Sequence, residues 1–346
     1  YEEYLGAGLE DKVKQADCAL LETLQSRGVP AGNVVLRDVS TEKSGREEFH
    51  YQLLEIPLPG DIPGFAVALS DNLRRRVPDA VLRSEPGGGW RIDIAGVHTH
   101  QLLLRAPSAP SATAALPPAL PPLPGGPGRL AIVIDDLGEN VAIAKALAGL
   151  PVPVTFAIWP FADHRDEVRS IAREHGLEYL VHMPMEPVSY PDNDPGPDAL
   201  FAAMPPERII ALMDENLARV PGAAGVNNHM GSRFTAEYGP MLAALGELKD
   251  RGLFFLDSRT IGGSKAPEAA AALGVPFHSR DIFLDNVARV DAIVLQLRKA
   301  ERIALTRGHA IAIGHGYPET VRAIRQWAAG KSKGLSVVSV AALPRQ

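Results

Sequence analysis

The chain has 346 residues and a formal net charge of −6, and 46% of its residues are hydrophobic, which excludes wholesale disorder. The acidic balance argues against a nucleic-acid binder, because such proteins need a basic face for phosphates. The sequence contains one cysteine and no run of about 18 apolar residues, so it predicts neither an intrachain disulfide nor a transmembrane helix.

Residues 1–105 predict a small α+β domain. Helical periodicity predicts helices over Leu9–Ser26 and Gly64–Arg76. Alternating apolar and polar residues predict strands at Asn33–Val39, Glu48–Ile56, Ala80–Ser84, Trp90–Ile94 and Val97–Leu104. The order helix, two strands, helix, strands is typical of small α+β modules. Its histidines lack a metal-like spacing with acidic partners, so the role of this domain stays open.

A proline-rich segment separates this domain from the rest of the chain. Residues 106–128 read APSAPSATAALPPALPPLPGGPG, with eight prolines, six alanines and no charged residue. Such a composition favours polyproline II structure and does not pack a core. We interpret the segment as an interdomain linker, with a proline-rich ligand for an SH3-like partner as the alternative.

After the linker, short β-branched or aromatic runs alternate with amphipathic stretches. The predicted strands are Leu130–Ile134, Val152–Trp159, Glu178–Val181, Ala224–Asn227, Leu253–Leu256, Val275–His278, Ala310–Ile313 and Ser336–Val340. The predicted helices are Asn140–Ala148, Asp163–His175, Pro206–Val220, Tyr238–Arg251, Ala266–Leu273, Val287–Thr306 and Glu319–Ala329. This alternation is typical of parallel βαβ units. Seven or eight units within residues 129–346 favour an α/β fold in the form of an incomplete (β/α) barrel.

Metal-binding or proton-transferring side chains follow most of these strands. In (β/α) barrels the chemistry takes place just beyond the C-terminal ends of the strands. The residues at these positions are Asp135, Asp136, His182, Asn228, His229, Asp257, His278, Asp281 and His315. Imidazoles and carboxylates around one rim suit zinc with an open position for water, so the pattern predicts metal-assisted hydrolysis. Adjacent Asp135 and Asp136 point in different directions from an extended strand, so one is expected to bind metal and the other to move protons.

Six motifs carry a family resemblance. IDDLG, VTFAIWP, HMPMEP, GVNNHMGSRFT, FLDSRT and IGHGYPET occur in this order. From Arg129 onward the chain resembles the divergent polysaccharide deacetylase family, a distant branch of the NodB-like carbohydrate esterases. The resemblance implies a NodB-like deformed (β/α) barrel over residues 129–346. It also implies a divalent metal, usually zinc, and hydrolysis of N- or O-acetyl groups on a glycan.

The resemblance implies roles for individual residues at the metal. In the first motif, Asp135 corresponds to the catalytic base and Asp136 to a metal ligand. The second motif keeps the first histidine of the family as His182, but Glu186 stands where the family has a second histidine. The third protein ligand is therefore either Glu186 or His229. We prefer His229, because an imidazole is the better replacement for an imidazole.

Three further residues are assigned by the same resemblance. His315 corresponds to the late histidine that acts as general acid. Asp257 occupies the place of the carboxylate that orients this histidine, and Arg233 that of the arginine that holds the catalytic aspartate. All three follow predicted strands of the barrel.

The expected function is a metal-dependent hydrolase that removes acetyl groups from a cell-envelope polysaccharide. Two alternatives stay open: a non-catalytic envelope protein that binds a glycan or a protein and retains the barrel, and a hydrolase for another acyl group. We expect a periplasmic or secreted location, with a signal or membrane anchor that precedes Tyr1 in the full-length protein. An envelope protein is a candidate partner for the small domain.

Overall fold

The structure is a computed structural model that describes residues 8–45, 47–58, 60–86, 88–105 and 127–345. Residues 106–126, most of the predicted linker, lie outside these ranges, and Gly128 already belongs to a strand. The described residues form two separate sheets, one before and one after this segment. The second sheet is parallel and curled, and the first belongs to a small α+β unit. The predicted fold class is therefore confirmed.

The N-terminal unit is a five-stranded sheet with two helices packed against it. Its elements are α1 (Leu9–Ser26), β1 (Val35–Ser44), β2 (Glu47–Pro57), α2 (Ile62–Arg76), β3 (Ala80–Ser84), β4 (Gly89–Ile94) and β5 (Val97–Arg105). The strand order is β1-β2-β5-β4-β3, with β2 and β5 parallel and the other pairs antiparallel. The helices bury the apolar side that their periodicity predicts, including Val13 and Leu24 of α1 and Leu69 of α2.

The large unit alternates strands and helices as predicted. Its elements are β6 (Gly128–Leu137), α3 (Val141–Ala148), β7 (Thr155–Ile158), α4 (Arg165–Glu174), β8 (Tyr179–Met185), α5 (Pro206–Arg219), β9 (Gly225–Met230), α6 (Tyr238–Arg251), β10 (Phe254–Asp257), α7 (Ala266–Leu273), β11 (Phe277–Ser279), β12 (Ile282–Phe283), α8 (Val290–Arg307), β13 (His309–His315), α9 (Pro318–Gly330) and β14 (Leu335–Val337). Sequence patterns missed β12, because two residues are too few to show a period.

All neighbouring strands of the large sheet run parallel. Their order is β11-β10-β9-β8-β7-β6-β13-β12, and β14 pairs with the start of β6. In the described chain no ladder joins β11 to β12, so the barrel stays open on that side. Val133, Ala157 and Ile311 belong to the core inside the barrel, and a second set of buried residues packs against the helices. Burial on both faces explains the continuous apolar runs of these strands.

Helix α8 lies between the barrel and the N-terminal unit. All of its residues from 292 to 305 are buried. It contacts β6 and β13 of the barrel, and it also contacts β1 and the short 3-10 helix Ala31–Asn33 of the N-terminal unit. The buried apolar residues of the two units form one continuous core. Within the described ranges, no helix combines the length and the apolar character needed to cross a membrane.

Candidate metal centre

Four strand ends bring the predicted site residues to one edge of the barrel. Strands β13, β6, β7, β8 and β9 are successive in the sheet, and their carboxyl ends point the same way because all are parallel. The register places His315 of β13 beside Asp135 of β6, and His182 of β8 beside Asn227 of β9. His229 follows two residues further along β9. Residues from separate motifs therefore meet at this edge.

An irregularity at the end of β6 brings two adjacent carboxylates into the site. The register with β7 shifts between Ile134 and Leu137, and Asp136 has a φ of 56°. This left-handed conformation is uncommon outside glycine but accessible to aspartate. Asp136 Oδ1 lies 3.0 Å from Nε2 of His182, and Asp135 Oδ1 lies 3.8 Å from Nδ1 of the same ring. The two carboxylates flank one imidazole, whereas a regular strand would direct them to opposite faces.

Asp136, His182 and His229 form a compact group of ligand atoms. Asp136 Oδ1 is 3.0 Å from His182 Nε2 and 3.0 Å from His229 Nδ1, and the two nitrogens are 3.1 Å apart. Tetrahedral zinc with bonds of about 2.05 Å would hold its ligands about 3.3 Å apart. The observed triangle is close to this size. Two imidazoles and one carboxylate are also a ligand set that leaves a coordination position for water. The three residues therefore fit a zinc ion.

Asn227 forms hydrogen bonds with both His182 and Asp135. Its Oδ1 accepts a hydrogen bond from Nδ1 of His182 at 3.0 Å, which leaves Nε2 of His182 free to face Asp136 and His229. Its Nδ2 donates to Asp135 Oδ1 at 2.8 Å. Such a partner behind a ligating histidine fixes its tautomer and orientation. Asn227 is not among the predicted site residues, although two consecutive asparagines at the end of a buried strand are a signal for it.

The two adjacent aspartates have opposite pKa shifts. Burial alone would raise the pKa of Asp136, but hydrogen bonds and attraction from His182 and His229 hold it well below its usual value. Burial raises the pKa of Asp135, and the charges of His182 and His315 only partly oppose this. Burial lowers the pKa of His182, but the two aspartates outweigh it and bring the pKa to about 9. The site thus contains one strongly ionised carboxylate beside a second one that is easier to protonate.

His315 is oriented by Asp285, a residue that our sequence analysis did not select. Nδ1 of His315 lies 3.0 Å from Asp285 Oδ1, and the backbone N of His315 donates to Asp285 Oδ2 at 2.6 Å. Thr320 donates to the same oxygen at 2.9 Å. Burial lowers the pKa of His315, but Asp285 outweighs it and raises the pKa. Nε2 of His315 lies 3.7 Å from Asp136 Oδ2, so this ring faces the ligand group.

Asp257 does not contact His315. Its Oδ1 accepts a hydrogen bond from the backbone N of Arg259 at 2.7 Å, at the turn after β10. The orienting contact predicted for Asp257 is thus made by Asp285. The signal for Asp285 was the apolar run Ile282–Leu284 directly before it, the same strand-then-aspartate pattern as in IDD.

Glu186 and Arg233 interact with each other and lie outside the ligand group. Glu186 Oε2 accepts from the backbone N of Ala202 at 2.8 Å, and its Oε1 lies 3.6 Å from Nε of Arg233. The Arg233 side chain is 58% exposed and forms no hydrogen bond or ion pair with Asp135. The hydrogen bond to Asp135 that was expected from Arg233 comes from Asn227 instead. Of the two alternatives for a third ligand, the structure places His229 with Asp136 and His182.

The remaining rim residues have structural surroundings. His278 is buried, its ring lies 5.4 Å from that of Phe254, and burial lowers its pKa to about 4. Asp281 accepts from Arg307 at 2.6 Å and from the backbone N of Ile311 at 2.8 Å, which ties the segment before β12 to β13. Neither residue belongs to the ligand group.

An aromatic wall stands beside the ligand group. The Trp159 ring lies 4.3 Å from that of His229, centroid to centroid, in an edge-on arrangement. Gly196 packs against this indole with a φ of 93°, and a Cβ there would come within 2.6 Å of the ring. The loop after β8 therefore reaches over Trp159, and Trp159 limits the position of His229.

The comparisons with known proteins agree with this architecture. The profile of a family described as divergent polysaccharide deacetylase matches residues 132–343. The uncharacterized protein YibQ of Escherichia coli (strain K12) is 34% identical over 216 residues, which cover 62% of this chain and 67% of YibQ. An uncharacterized protein of Haemophilus influenzae is 36% identical over 197 residues, which cover 57% of this chain and 70% of that protein.

A solved structure is also similar. The crystal structure of the uncharacterized protein ATU2773 from Agrobacterium tumefaciens C58 has a TM-score of 0.60 and 32% sequence identity, and the match covers 65% of this chain and 93% of that chain. Fold and site together define an open, parallel α/β barrel whose rim carries a group of residues able to hold a metal ion. The chain belongs to the divergent polysaccharide deacetylase family.

Proposed function

We propose that this protein is a zinc-dependent hydrolase that removes acetyl groups from a polysaccharide. The observation that carries the proposal is the ligand group Asp136, His182 and His229, which lies between the buried Asp135 and the oriented His315. Family membership supplies the substrate class. The bound ion would lower the pKa of a water molecule and polarise the acetyl carbonyl.

In this proposal Asp135 is the general base. It is buried, it receives a hydrogen bond from Asn227, and its raised pKa lies closer to neutral pH than that of an ordinary aspartate. A base with such a pKa combines an ionised resting state with a stronger tendency to take a proton. Asp136, whose pKa is held low, stays ionised and suits the role of ligand.

His315 is the general acid that protonates the leaving group. An acid must carry its proton before the step, and Asp285 favours the charged imidazolium at 3.0 Å from Nδ1. Nε2 faces the ligand group, on the side where a leaving nitrogen or oxygen would depart. Asp135 and His315 therefore provide a base and an acid with distinct environments, as acid–base catalysis needs.

The alternative of a non-catalytic binding protein was motivated by the altered second motif. In the proposed site His229 supplies the third ligand, because its nitrogen lies with the ligand atoms of Asp136 and His182, and Glu186 is then not needed. This favours the catalytic role.

For the location we propose the periplasm or the outside of the cell, where envelope polysaccharides lie, with an envelope protein as a candidate partner of the N-terminal unit.

The experiment is metal content and acetate release on the same preparation, purified without a histidine tag or chelator. We expect about one zinc per chain and acetate release from at least one acetylated glycan among peptidoglycan, chitin-like oligosaccharides and exopolysaccharides. His182→Ala should lose both. His175→Ala, in an exposed position at the end of α4, is the matched control and should lose neither.

Two results would count against the proposal. Bound zinc without acetate release from any of these glycans, with release of a longer acyl group, would assign another acyl substrate. Failure to bind zinc even after incubation with it, together with glycan binding that ignores chelators, would assign a binding protein.

A further inference from the structure

Strand β12 is the shortest strand of the barrel in the described chain and lies at one edge of the sheet. Its two residues pair with Ala312 and Ile313 of β13, and no strand pairs with its other side. One residue after β12, beyond Leu284, the chain reaches Asp285, which contacts His315. We call residues 281–285 the edge segment. Its position determines where Asp285 lies, and sheet pairing holds it on one side only.

The N-terminal unit covers the open side of the edge segment. At Ile282 and Leu284 the cavity left between them is only about 30 Å³, which has room for about two water molecules. A larger and more open cavity of about 460 Å³ lies beside it, where Asp281 faces Glu10 and His50. Val13, Asp17 and His50 line it from α1 and β2, and Ile282 and Leu284 line it from the edge segment. The second wall of the edge segment is thus supplied by the other unit.

The edge segment contacts His315 in more than one way. The Phe283 ring lies 5.4 Å from the His315 ring, edge-on, and Phe283 lines both the interdomain cavity and the pocket that contains Asp135 and His182. The backbone N of Leu284 donates to Ile313 O at 2.8 Å. A shift of the edge segment would therefore move the ring packed on His315 together with the Asp285 carboxylate.

Buried polar contacts fix the N-terminal unit against α8, the helix that connects the edge segment to β13. Lys299 is only 2% exposed, and its Nζ lies 2.8 Å from Asp17 Oδ1. Burial alone would raise the pKa of Asp17, but Lys299 and His100 hold it below its usual value. Further along α8, Arg302 donates to Asp38 at 2.9 Å. The Asp17–Lys299 pair borders the interdomain cavity, whereas the Asp38–Arg302 pair does not.

We propose that the N-terminal unit supports the outer side of β12, where the barrel is open, and positions the acid His315 through the edge segment. Asp17 and Val13 are positioning residues in this proposal, since they act through Asp285 and Phe283. The proposal rests on the proposed function for the role of His315, but the support of the edge segment is a separate physical claim. The metal ligands lie on other strands, so this support concerns only the acid side of the site.

Amide hydrogen exchange of the full chain tests this claim without any assay of activity. Asp17→Asn keeps the shape of the side chain and removes the charge beside Lys299, and Val13→Ala removes two methyl groups from the cavity wall. Both variants should speed exchange at the amides of Leu284 and His315 by about tenfold, with the amides of β8 unchanged. Asp38→Asn breaks the other ion pair of the same interface and should leave the amides of Leu284 and His315 as they are.

If acetate release is found, kcat should fall by about tenfold in Asp17→Asn and Val13→Ala, while KM and zinc content stay constant. The absence of acetate release in the wild type would overturn the proposed function and leave the exchange result to decide this claim. Val13→Ala serves as the test if Asp17→Asn does not fold. Unchanged exchange at Leu284 and His315, or a uniform rise that includes β8, would overturn the positioning claim.

Discussion

The proposed metal ligands and the carboxylate Asp285, which orients His315, are supported in different ways. Asp136, His182 and His229 belong to β6, β8 and β9, each of which has a strand on both sides. Asp285 follows a two-residue strand at the edge of the sheet, and its outer support comes from the N-terminal unit. The ligand side of the site is therefore a property of the barrel alone. The acid side depends on how two units pack together, so the two sides should respond separately to substitution.

Asp135→Asn is expected to have the largest effect on activity. It should separate the proposed proton transfer by Asp135 from the proposed metal binding by Asp136. Asparagine keeps the shape and the contact with Asn227 but takes up no proton, so kcat should fall by about 10²–10⁴-fold. Zinc content should persist, because Asp135 lies outside the ligand group. Steady-state kinetics with elemental analysis checks both, and Asp163→Asn on the exposed surface is the control. Loss of zinc along with activity would instead make Asp135 a ligand.

The next effect concerns the ligand side alone. Asn227→Ala removes the acceptor behind His182 and should weaken zinc affinity by about 10–100-fold. Competition with a chromophoric chelator measures this. The control is Asn193→Ala, which removes an asparagine from an exposed position outside the ligand group. An unchanged zinc affinity would show that His182 is oriented by its strand and needs no partner.

On the acid side, Asp285→Asn should change the pH profile. Asp285 raises the pKa of His315, so the acid stays protonated to higher pH in the wild type. Without this carboxylate the pKa of His315 falls. The decline of kcat at high pH should therefore begin at a lower pH. Above neutral pH, kcat should be about tenfold lower than in the wild type. Asp257→Asn should leave the limb where it is, since Asp257 contacts the backbone of Arg259 and not His315. A shift with Asp257→Asn and none with Asp285→Asn would reverse the assignment.

Sequence patterns predicted the fold well because both units follow simple periods. The buried parallel strands read as apolar runs, and α1 shows its buried side as a helical repeat over 9–26. Patterns also placed Asp135, Asp136, His182, His229 and His315 on one rim. They did not show the bulge at Asp136, which depends on how β6 pairs with β7. They missed Asp285 because β12 is defined by its partner β13 and has no period of its own.

The smallest effect on zinc affinity is expected for Glu186, although its place in the family motif alone would predict a large one. Glu186 stands in the position of the second motif histidine, yet its Oε2 accepts from Ala202 N at 2.8 Å and lies outside the ligand group. Glu186→Gln keeps this acceptor, so zinc affinity should change by no more than about twofold. The matched variant His229→Gln removes an imidazole from the ligand group and should abolish tight binding. Equal losses in the two variants would mean that both side chains reach the metal and that the ligand group has four protein members.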